Sequence, residues 1–455
     1  MRHPLTPTRL PLQLGRRERV WPWALIAGAL ALVGAAGSIW RPVAPSLPAV
    51  ATDVDVFDPA VLAAVEAYRG PRTWIAIAVT ILNVLVPLLV VTTRRGRKWV
   101  RGWAGSAPAS ALRAALVGLA VAVLTSLVTL PFAAWVRLVH DGRWGFRTQP
   151  AIGWVRDWLV VSSGTWIAVV VLVPVLVVAM ARWPRSWPYR LTVLGAALAA
   201  AIIFVHPVLL QPLLLPTGPL PEGAHREAIE PMLAAVGEPD LPVVVGEASR
   251  RSTRVNAQQA GLGPTARIVV YDTMLELPPD QVAAVVAHEL AHYEHRDVPR
   301  GTLLAATALL PALLVLRRLL AAPRVQRAVG ARTPNDARLV AVVLAFVAVA
   351  ELVGQPVANA VSRQLESAAD VRAVELSGDA ATLVRTTRVF TLRDLATPEP
   401  PAWITVLYRS HPSVGERLRQ AAALADRDGL GIPSLRDLQD GERAQRHAGI
   451  EEGPP

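Results

Sequence analysis

Seven long runs along the chain carry few or no charged side chains. Residues 191–221 contain no Asp, Glu, Lys or Arg, although His206 lies among them, and residues 339–362 contain only Glu351. About 20 apolar residues in a helix cross ~30 Å of hydrocarbon, so the pattern predicts membrane-spanning helices. The predicted spans are residues 20–40, 73–93, 114–136, 158–181, 191–221, 301–316 and 339–362.

The first predicted span follows a basic segment that contains Arg16, Arg17 and Arg19. A secretory signal peptide has the same order of charge and apolar core. The apolar core here is longer than the roughly 7–15 residues of such a peptide, so we expect an uncleaved anchor.

Two stretches have the mixed composition of a soluble α+β domain that two spans divide. In the first stretch, residues 222–236 have helical spacing, and residues 241–245 and 268–271 are rich in β-branched side chains. Asp280 follows two prolines and is the expected N-cap of the next helix. The expected organisation is a basic segment (1–19), five spans (20–221), the first soluble part (222–300), two spans (301–362), the second soluble part (363–428) and a polar tail (429–455).

The composition agrees with a mainly α membrane protein and limits which residues can act as nucleophiles or metal ligands. The 455 residues are 53% hydrophobic and 18% charged, whereas soluble domains carry about 25% charged residues. The chain has no cysteine, which excludes thiol nucleophiles and leaves His, Asp and Glu as metal ligands. The net charge is +11, but the basic residues are spread through the loops, so we expect no nucleic-acid partner.

Residues 288–292 form an H-E-x-x-H sequence. Two histidines four positions apart lie on one face of a helix, so His288 and His292 can bind one Zn²⁺ ion. Glu289 lies one position further round, where it can act as a general base toward water at the metal. The alternative is a chance match, which this composition would produce in about 1 of 100 such chains.

The position of the third ligand distinguishes the classes of zinc peptidase that share this motif. A metzincin places it ten residues after the first histidine, but that residue is Val298. Gluzincins instead use a glutamate on a later helix with an aspartate four residues beyond it, and Glu366 and Asp370 have that spacing. We expect Glu366 as third ligand and Asp370 as the carboxylate that orients a ligand histidine. The alternative is an ordinary exposed Glu/Asp pair.

The chain resembles the type I CAAX prenyl proteases, which are multispan zinc metallopeptidases related to a bacterial heat-shock membrane protease. The resemblance is best between residues 206 and 424, and it departs from the family at Ala291, where glycine is more usual. It implies a gluzincin-like domain divided by membrane helices. Similar stretches follow in the family's order at residues 219–223, 255–257, 267–273, 285–292, 362–370 and 409–412, with Arg417 after them.

The resemblance also implies roles for two further residues. Asn256 would lie on the strand beside the zinc, where an extended substrate adds as an extra strand. His411 would lie near the metal and donate a hydrogen bond to the oxyanion that forms on the substrate. The alternatives are a turn asparagine and a histidine that caps or packs.

Together these observations predict a zinc metalloendopeptidase of the cell membrane, with one Zn²⁺ ion per chain. The expected partners are the lipid bilayer and a peptide or protein substrate that is lipidated or membrane-bound. The resemblance implies cleavage near a C-terminal prenylated cysteine, or clearance of damaged membrane proteins. A catalytically silent membrane scaffold of the same fold fits less well, because the three expected zinc ligands and the expected general base, Glu289, are all present. A transporter would not need these motifs.

Two arguments about orientation conflict. With seven spans, the segments on the N-terminal side carry 19 basic residues, against 7 in the two short loops opposite. The positive-inside rule then places the N-terminus in the cytoplasm and both soluble parts outside. The family resemblance implies the reverse, a cytosolic active site.

Overall fold

The computed structural model describes residues 57–105 and 110–427, except for the side chain of Asp426. The predicted span at residues 20–40, the basic segment and the polar tail lie outside this part of the chain. Six helices within it are long and apolar enough to cross a membrane. In chain order, the first five helices of more than ten residues are α1 (Pro59–Thr92), α2 (Arg94–Ala104), α3 (Ala111–Ala134), α4 (Ala151–Arg182) and α5 (Trp187–Val205).

Side-chain caps and prolines shape these helices. Asp58 caps α1 by accepting a hydrogen bond from the backbone N–H of Ala60. A π-helical turn follows Pro131 in α3, and Pro207 lies within a similar turn after α5. Proline removes a backbone donor and disturbs the i→i−4 hydrogen bonds, which accounts for the wider turns. With these turns, the two helical segments reach Arg143 and Leu214.

The remaining elements build the soluble part and two further long helices. The strands are β1 (Thr217–Pro219), β2 (Val243–Gly246), β3 (Ala257–Ala260) and β4 (Arg267–Tyr271). The helices are α6 (Ala224–Ala235), α7 (Pro279–Glu294), α8 (Asp297–Ala321), α9 (Pro323–Val329), α10 (Val340–Ser377), α11 (Ala380–Asp394), α12 (Ala402–Tyr408) and α13 (Val414–Arg427).

The four strands form one small sheet in the order β1-β2-β4-β3. β2 and β4 are parallel, while β1 and β3 are antiparallel to their neighbours. Ile268 and Val270 on β4 are fully buried and share a core with Val282 and Val286 of α7. This packing holds α7 against the sheet, with β3 at its edge.

Helix α10 joins a predicted membrane span to the second soluble part without a break. It has 38 residues and ends at Ser377, and the next residue, Gly378, has a left-handed φ of 67°. Glycine adopts this conformation without a Cβ clash, so it stops the helix at that point. Glu366 and Asp370 are therefore carried on the same helix as residues 340–362.

Local predictions in the soluble part hold only in part. The strands expected at 241–245 and 268–271 correspond to β2 and β4, but β1 and β3 are too short and too poor in β-branched residues to be predicted. The predicted N-cap at Asp280 is wrong, because α7 begins at Pro279 and is preceded by Pro278. Proline suits the first helical position, where its missing N–H costs nothing.

Candidate active site

Helix α7 brings the two histidines of the H-E-x-x-H motif together on one face. The Nε2 atoms of His288 and His292 lie 3.1 Å apart. Both rings therefore point toward one common position beside the helix. Four residues make slightly more than one helical turn, which is why the two side chains can meet.

Glu366 reaches the same position from α10. Its Oε2 lies 3.2 Å from His288 Nε2, and its Oε1 lies 3.7 Å from His292 Nε2. Ligand atoms around a tetrahedral zinc ion are spaced by roughly 3.4 Å, given bond lengths near 2.0–2.1 Å. Glu366 Oε2 is also buried without a hydrogen-bond partner among the described residues. The three residues therefore fit a metal ion in both geometry and charge.

Asp370 lies behind His288, on the side away from this position. Its Oδ1 is 2.9 Å from His288 Nδ1, and Arg417 Nε donates a hydrogen bond to its Oδ2 at 2.8 Å. Burial, the largest influence, lowers the pKa of His288, but the nearby carboxylates of Asp370 and Glu366 outweigh it and raise that pKa to about 10. The site thus concentrates negative charge that favours a cation.

Asp297 orients the second histidine, and the sequence analysis did not identify it. Its Oδ2 lies 2.8 Å from His292 Nδ1. Asp297 is the first residue of α8 and follows Arg296, whose left-handed φ of 56° turns the chain back toward α7. A carboxylate on the second ring nitrogen fixes the tautomer that leaves Nε2 free for a metal. The only sequence signal is an acidic residue five positions after His292.

We expect Asp297→Asn and Asp370→Asn each to weaken zinc affinity by ~10–100-fold, because each variant removes the carboxylate that orients one histidine. Glu366→Ala should weaken it more than either. Competition with a chromogenic chelator measures all three affinities on the purified chain. Unchanged zinc affinity in Asp297→Asn would show that this carboxylate does not orient His292. A larger loss in Asp370→Asn than in Glu366→Ala would show that Asp370 is the ligand and Glu366 the orienting carboxylate.

Glu289 lies between the histidines and the edge of the sheet. Its Oε2 accepts a hydrogen bond of 2.6 Å from the backbone N–H of Gln259, in β3. Glu289 and His288 line the same cavity, which has a volume of about 390 Å³. A carboxylate held at this place faces both the candidate metal position and any peptide lying along β3.

The structure also brings His411 and Asn256 to this cavity. His411 Nε2 lies 3.2 Å from Glu366 Oε1, and Ser410 Oγ lies 2.9 Å from its Nδ1. Burial lowers the pKa of His411, and the nearby Glu366 carboxylate opposes that change. Asn256 immediately precedes β3 rather than lying in it, and its carbonyl accepts a hydrogen bond from the Tyr271 N–H at 2.9 Å.

Family comparisons agree with this fold and site. Residues 219–425 match the model of peptidase family M48, and residues 44–215 match the model described as CAAX prenyl protease N-terminal, five membrane helices. The fold and site define a multi-pass membrane metallopeptidase that acts on peptide or protein substrates. The chain belongs to the type I CAAX prenyl protease family, within peptidase family M48.

Individual relatives show how far the likeness extends. An uncharacterized metalloprotease of Bacillus subtilis, YhfN, is 24% identical over 80% of this chain and 86% of its own length. The CAAX prenyl protease 1 homolog of Arabidopsis thaliana is 31% identical, but over 37% of this chain and 41% of its own length. The crystal structure of Ste24p from S. mikatae superposes with a TM-score of 0.68 at 20% identity. That superposition covers 88% of this chain and 99% of the other.

Proposed function

We propose that this protein is a zinc metalloendopeptidase that cleaves membrane-associated proteins. The observation that carries the proposal is the convergence of His288, His292 and Glu366, with Glu289 beside them at the wall of one cavity. Two imidazoles and one carboxylate, with no sulfur, are a ligand set typical of catalytic zinc, which keeps a fourth position open.

Each residue of the site then has a distinct task. His288 and His292 would hold the ion through Nε2, and Glu366 would hold it through its carboxylate. When bound, zinc supplies a Lewis acid for a water molecule and for the peptide carbonyl. Glu289 takes a proton from that water and passes it to the leaving amine. His411 donates a hydrogen bond to the oxyanion of the substrate.

The edge of the sheet supports a binding mode for an extended peptide. β3 pairs with β4 on one side, and no strand of the described residues pairs with its other side. An extended substrate can add to this free edge through main-chain hydrogen bonds. Asn256, immediately before β3, would then contact the substrate next to Glu289.

The names of the relatives suggest a substrate class. The Arabidopsis thaliana relative is named CAAX prenyl protease 1 homolog, which favours a substrate cleaved near a C-terminal prenylated cysteine. Clearance of damaged membrane proteins uses the same chemistry and is the second candidate. A Glu289→Gln variant, purified with its trapped proteins and analysed by mass spectrometry, distinguishes lipid-modified C-termini from a broad set of membrane proteins.

A chelator tests the proposal against a catalytically silent scaffold. The purified full chain should contain about one zinc ion and cleave peptides, and a chelator should abolish the cleavage until zinc is restored. A chain that binds zinc stoichiometrically but cleaves neither peptides nor membrane proteins would support the scaffold instead.

For orientation, the count of basic residues favours an active site on the outer face of the cell membrane. A reporter that is active only in the cytoplasm, fused after residue 455, should then give no signal. The same reporter fused within residues 182–186, on the opposite side, provides the control. A strong signal from the C-terminal fusion would place the active site in the cytosol.

A further inference from the structure

Besides Arg417, which pairs with Asp370, the wall of the active-site cavity carries two arginines, Arg69 and Arg409, here called the arginine pair. Arg409 follows α12 and is half-buried, and its guanidinium forms no hydrogen bond or ion pair with the described residues. Arg69, on α1, donates hydrogen bonds to the main-chain carbonyls of Leu395 at 2.5 Å and Asp394 at 3.0 Å. Neither guanidinium has a carboxylate partner within the described part of the chain.

Positive charge exceeds negative charge around this wall. Arg409, Arg254 and Arg72 are close enough to repel the Arg69 guanidinium. Burial raises the pKa of the Asp394 carboxyl to about 6 although Arg254 and Arg69 oppose this change, so Asp394 is only partly ionised at mildly acidic pH. Among the described residues, the charged side chains near this wall include six arginines and two aspartates: Arg69, Arg72, Arg137, Arg254, Arg393, Arg409, Asp141 and Asp394.

The buried Asp141 is already fully engaged. Tyr68 donates its hydroxyl hydrogen to Asp141 Oδ1 at 2.7 Å, and Arg137 donates to Oδ2 at 2.9 Å. Arg72 also pairs with this carboxylate, and Arg254 lies 3.9 Å from it. The negative charge of Asp141 therefore offsets the positive charge of these neighbours, and none of it is available to the arginine pair.

A half-buried guanidinium without a counter-ion is costly, because burial removes water without supplying an anion. Burial accordingly lowers the pKa of Arg409. An arrangement of this kind at the wall of a substrate cavity is favourable only when the ligand brings the missing negative charge. Guanidinium groups bind carboxylates well, because their planar N–H donors match the two oxygens.

The position of the cavity shows which part of a substrate would meet these arginines. The cavity contacts β3 at Asn256 and Ala257, at the N-terminal end of the strand, and extends from His288 and Glu289 to the arginine pair. A peptide that adds antiparallel to β3 directs its C-terminal residues toward that end. We infer that the arginine pair binds a carboxylate on the C-terminal side of the cleaved bond and thereby selects substrates by that charge.

This inference rests on the proposed peptidase function and specifies its substrate. Two sources can provide the carboxylate: the free C-terminus of the substrate, or an acidic side chain a few residues beyond the cleaved bond. The chemistry recognised is the same in both cases. A free C-terminus would restrict cleavage to sites near the end of a protein, whereas an acidic side chain would permit internal cleavage.

Two pools of short, fluorescently labelled peptides with the same randomised sequence test the inference. One pool has a free C-terminal carboxylate and the other a C-terminal amide. The zinc-loaded full chain in detergent is expected to cleave the first pool at least tenfold faster at low substrate concentration. Arg409→Gln should reduce this ratio to about twofold. Because the ratio is taken within one protein, a partly unfolded variant lowers both rates and leaves the ratio unaffected.

A third pool, amidated but with glutamate near its C-terminus, separates the two sources of the carboxylate. Cleavage restored by that glutamate identifies an acidic side chain, and no restoration identifies the free C-terminus. Arg250→Gln is the matched control, because Arg250 is exposed and pairs with Glu247 outside the cavity. This variant should keep the wild-type ratio. Equal cleavage of the free-acid, amidated and glutamate-containing pools by the wild type would overturn the inference while leaving peptidase function intact.

Binding separates a failure of the inference from a failure of the proposed function. Fluorescence anisotropy with Glu289→Gln measures affinity for the free-acid and amidated pools without requiring turnover. Preference for the free-acid pool that Arg409→Gln removes would uphold the carboxylate site even if no pool is cleaved by the wild type. If the free-acid, amidated and glutamate-containing pools all bind equally, the arginine pair does not bind a substrate carboxylate.

Discussion

Replacing Glu289 by glutamine is expected to lower peptide cleavage by about 10²-fold or more while zinc content and fold remain unchanged. Glutamine has the shape of glutamate but does not accept the proton that general-base catalysis transfers. Its amide oxygen can still accept the hydrogen bond from the Gln259 N–H, so the local structure should persist. Turnover of the purified full chain, measured with metal analysis on the same sample, checks both parts of the prediction.

Glu294→Gln is the matched control for this variant. Glu294 ends the same helix, but its carboxylate pairs with Arg372 at 2.8 Å, outside the cavity. The control should keep nearly full activity. Near-normal cleavage by Glu289→Gln would remove Glu289 from the reaction. Loss of zinc from that variant would instead indicate that its effect is structural.

His288→Ala and His292→Ala are expected to lose the metal and, with it, all activity. Each variant removes one of three ligand groups whose donor atoms lie within 4.8 Å of one another. Two remaining protein ligands hold zinc poorly, because catalytic zinc is usually bound by three. Metal content after dialysis measures the loss directly. The rise in Tm on adding zinc gives a second measure, because zinc stabilises the folded state only where it binds.

His295→Ala is the control for the histidine variants. His295 directly follows the same helix, and it does not line the active-site cavity. We expect His295→Ala to retain zinc and the rise in Tm. Stoichiometric zinc in either His288→Ala or His292→Ala would mean that the metal is held by a different set of residues.

The sequence predicted the parts of the site that follow from local spacing. His288 and His292 share one helical turn, and Glu366 and Asp370 share another, so their mutual placement needs only a helix at each motif. The apolar runs likewise predicted the positions of the long helices, because length and composition decide whether a helix suits a bilayer. The ends of the helices were predicted less accurately: the helical segment that begins at Trp187 ends at Leu214, whereas the predicted span continued to residue 221.

Contacts between distant segments could not be predicted in this way. Asp297 reaches His292 because Arg296 has a left-handed backbone that reverses the chain. The edge strand β3 has the sequence Ala-Gln-Gln-Ala, which carries no β signal of its own. It forms a strand because β4 supplies its hydrogen-bond partners.

The sequence by itself determined the class of chemistry and the membrane setting, because both depend on residue type at short spacing. Only the tertiary structure decided what surrounds that chemistry. Arg69 lies on α1 and Arg409 directly follows α12, so most of the chain separates them, yet both reach the active-site cavity. No periodicity links such positions, because their approach depends on how α1 packs against the soluble part. The charge available to a substrate is therefore a property of the assembled fold.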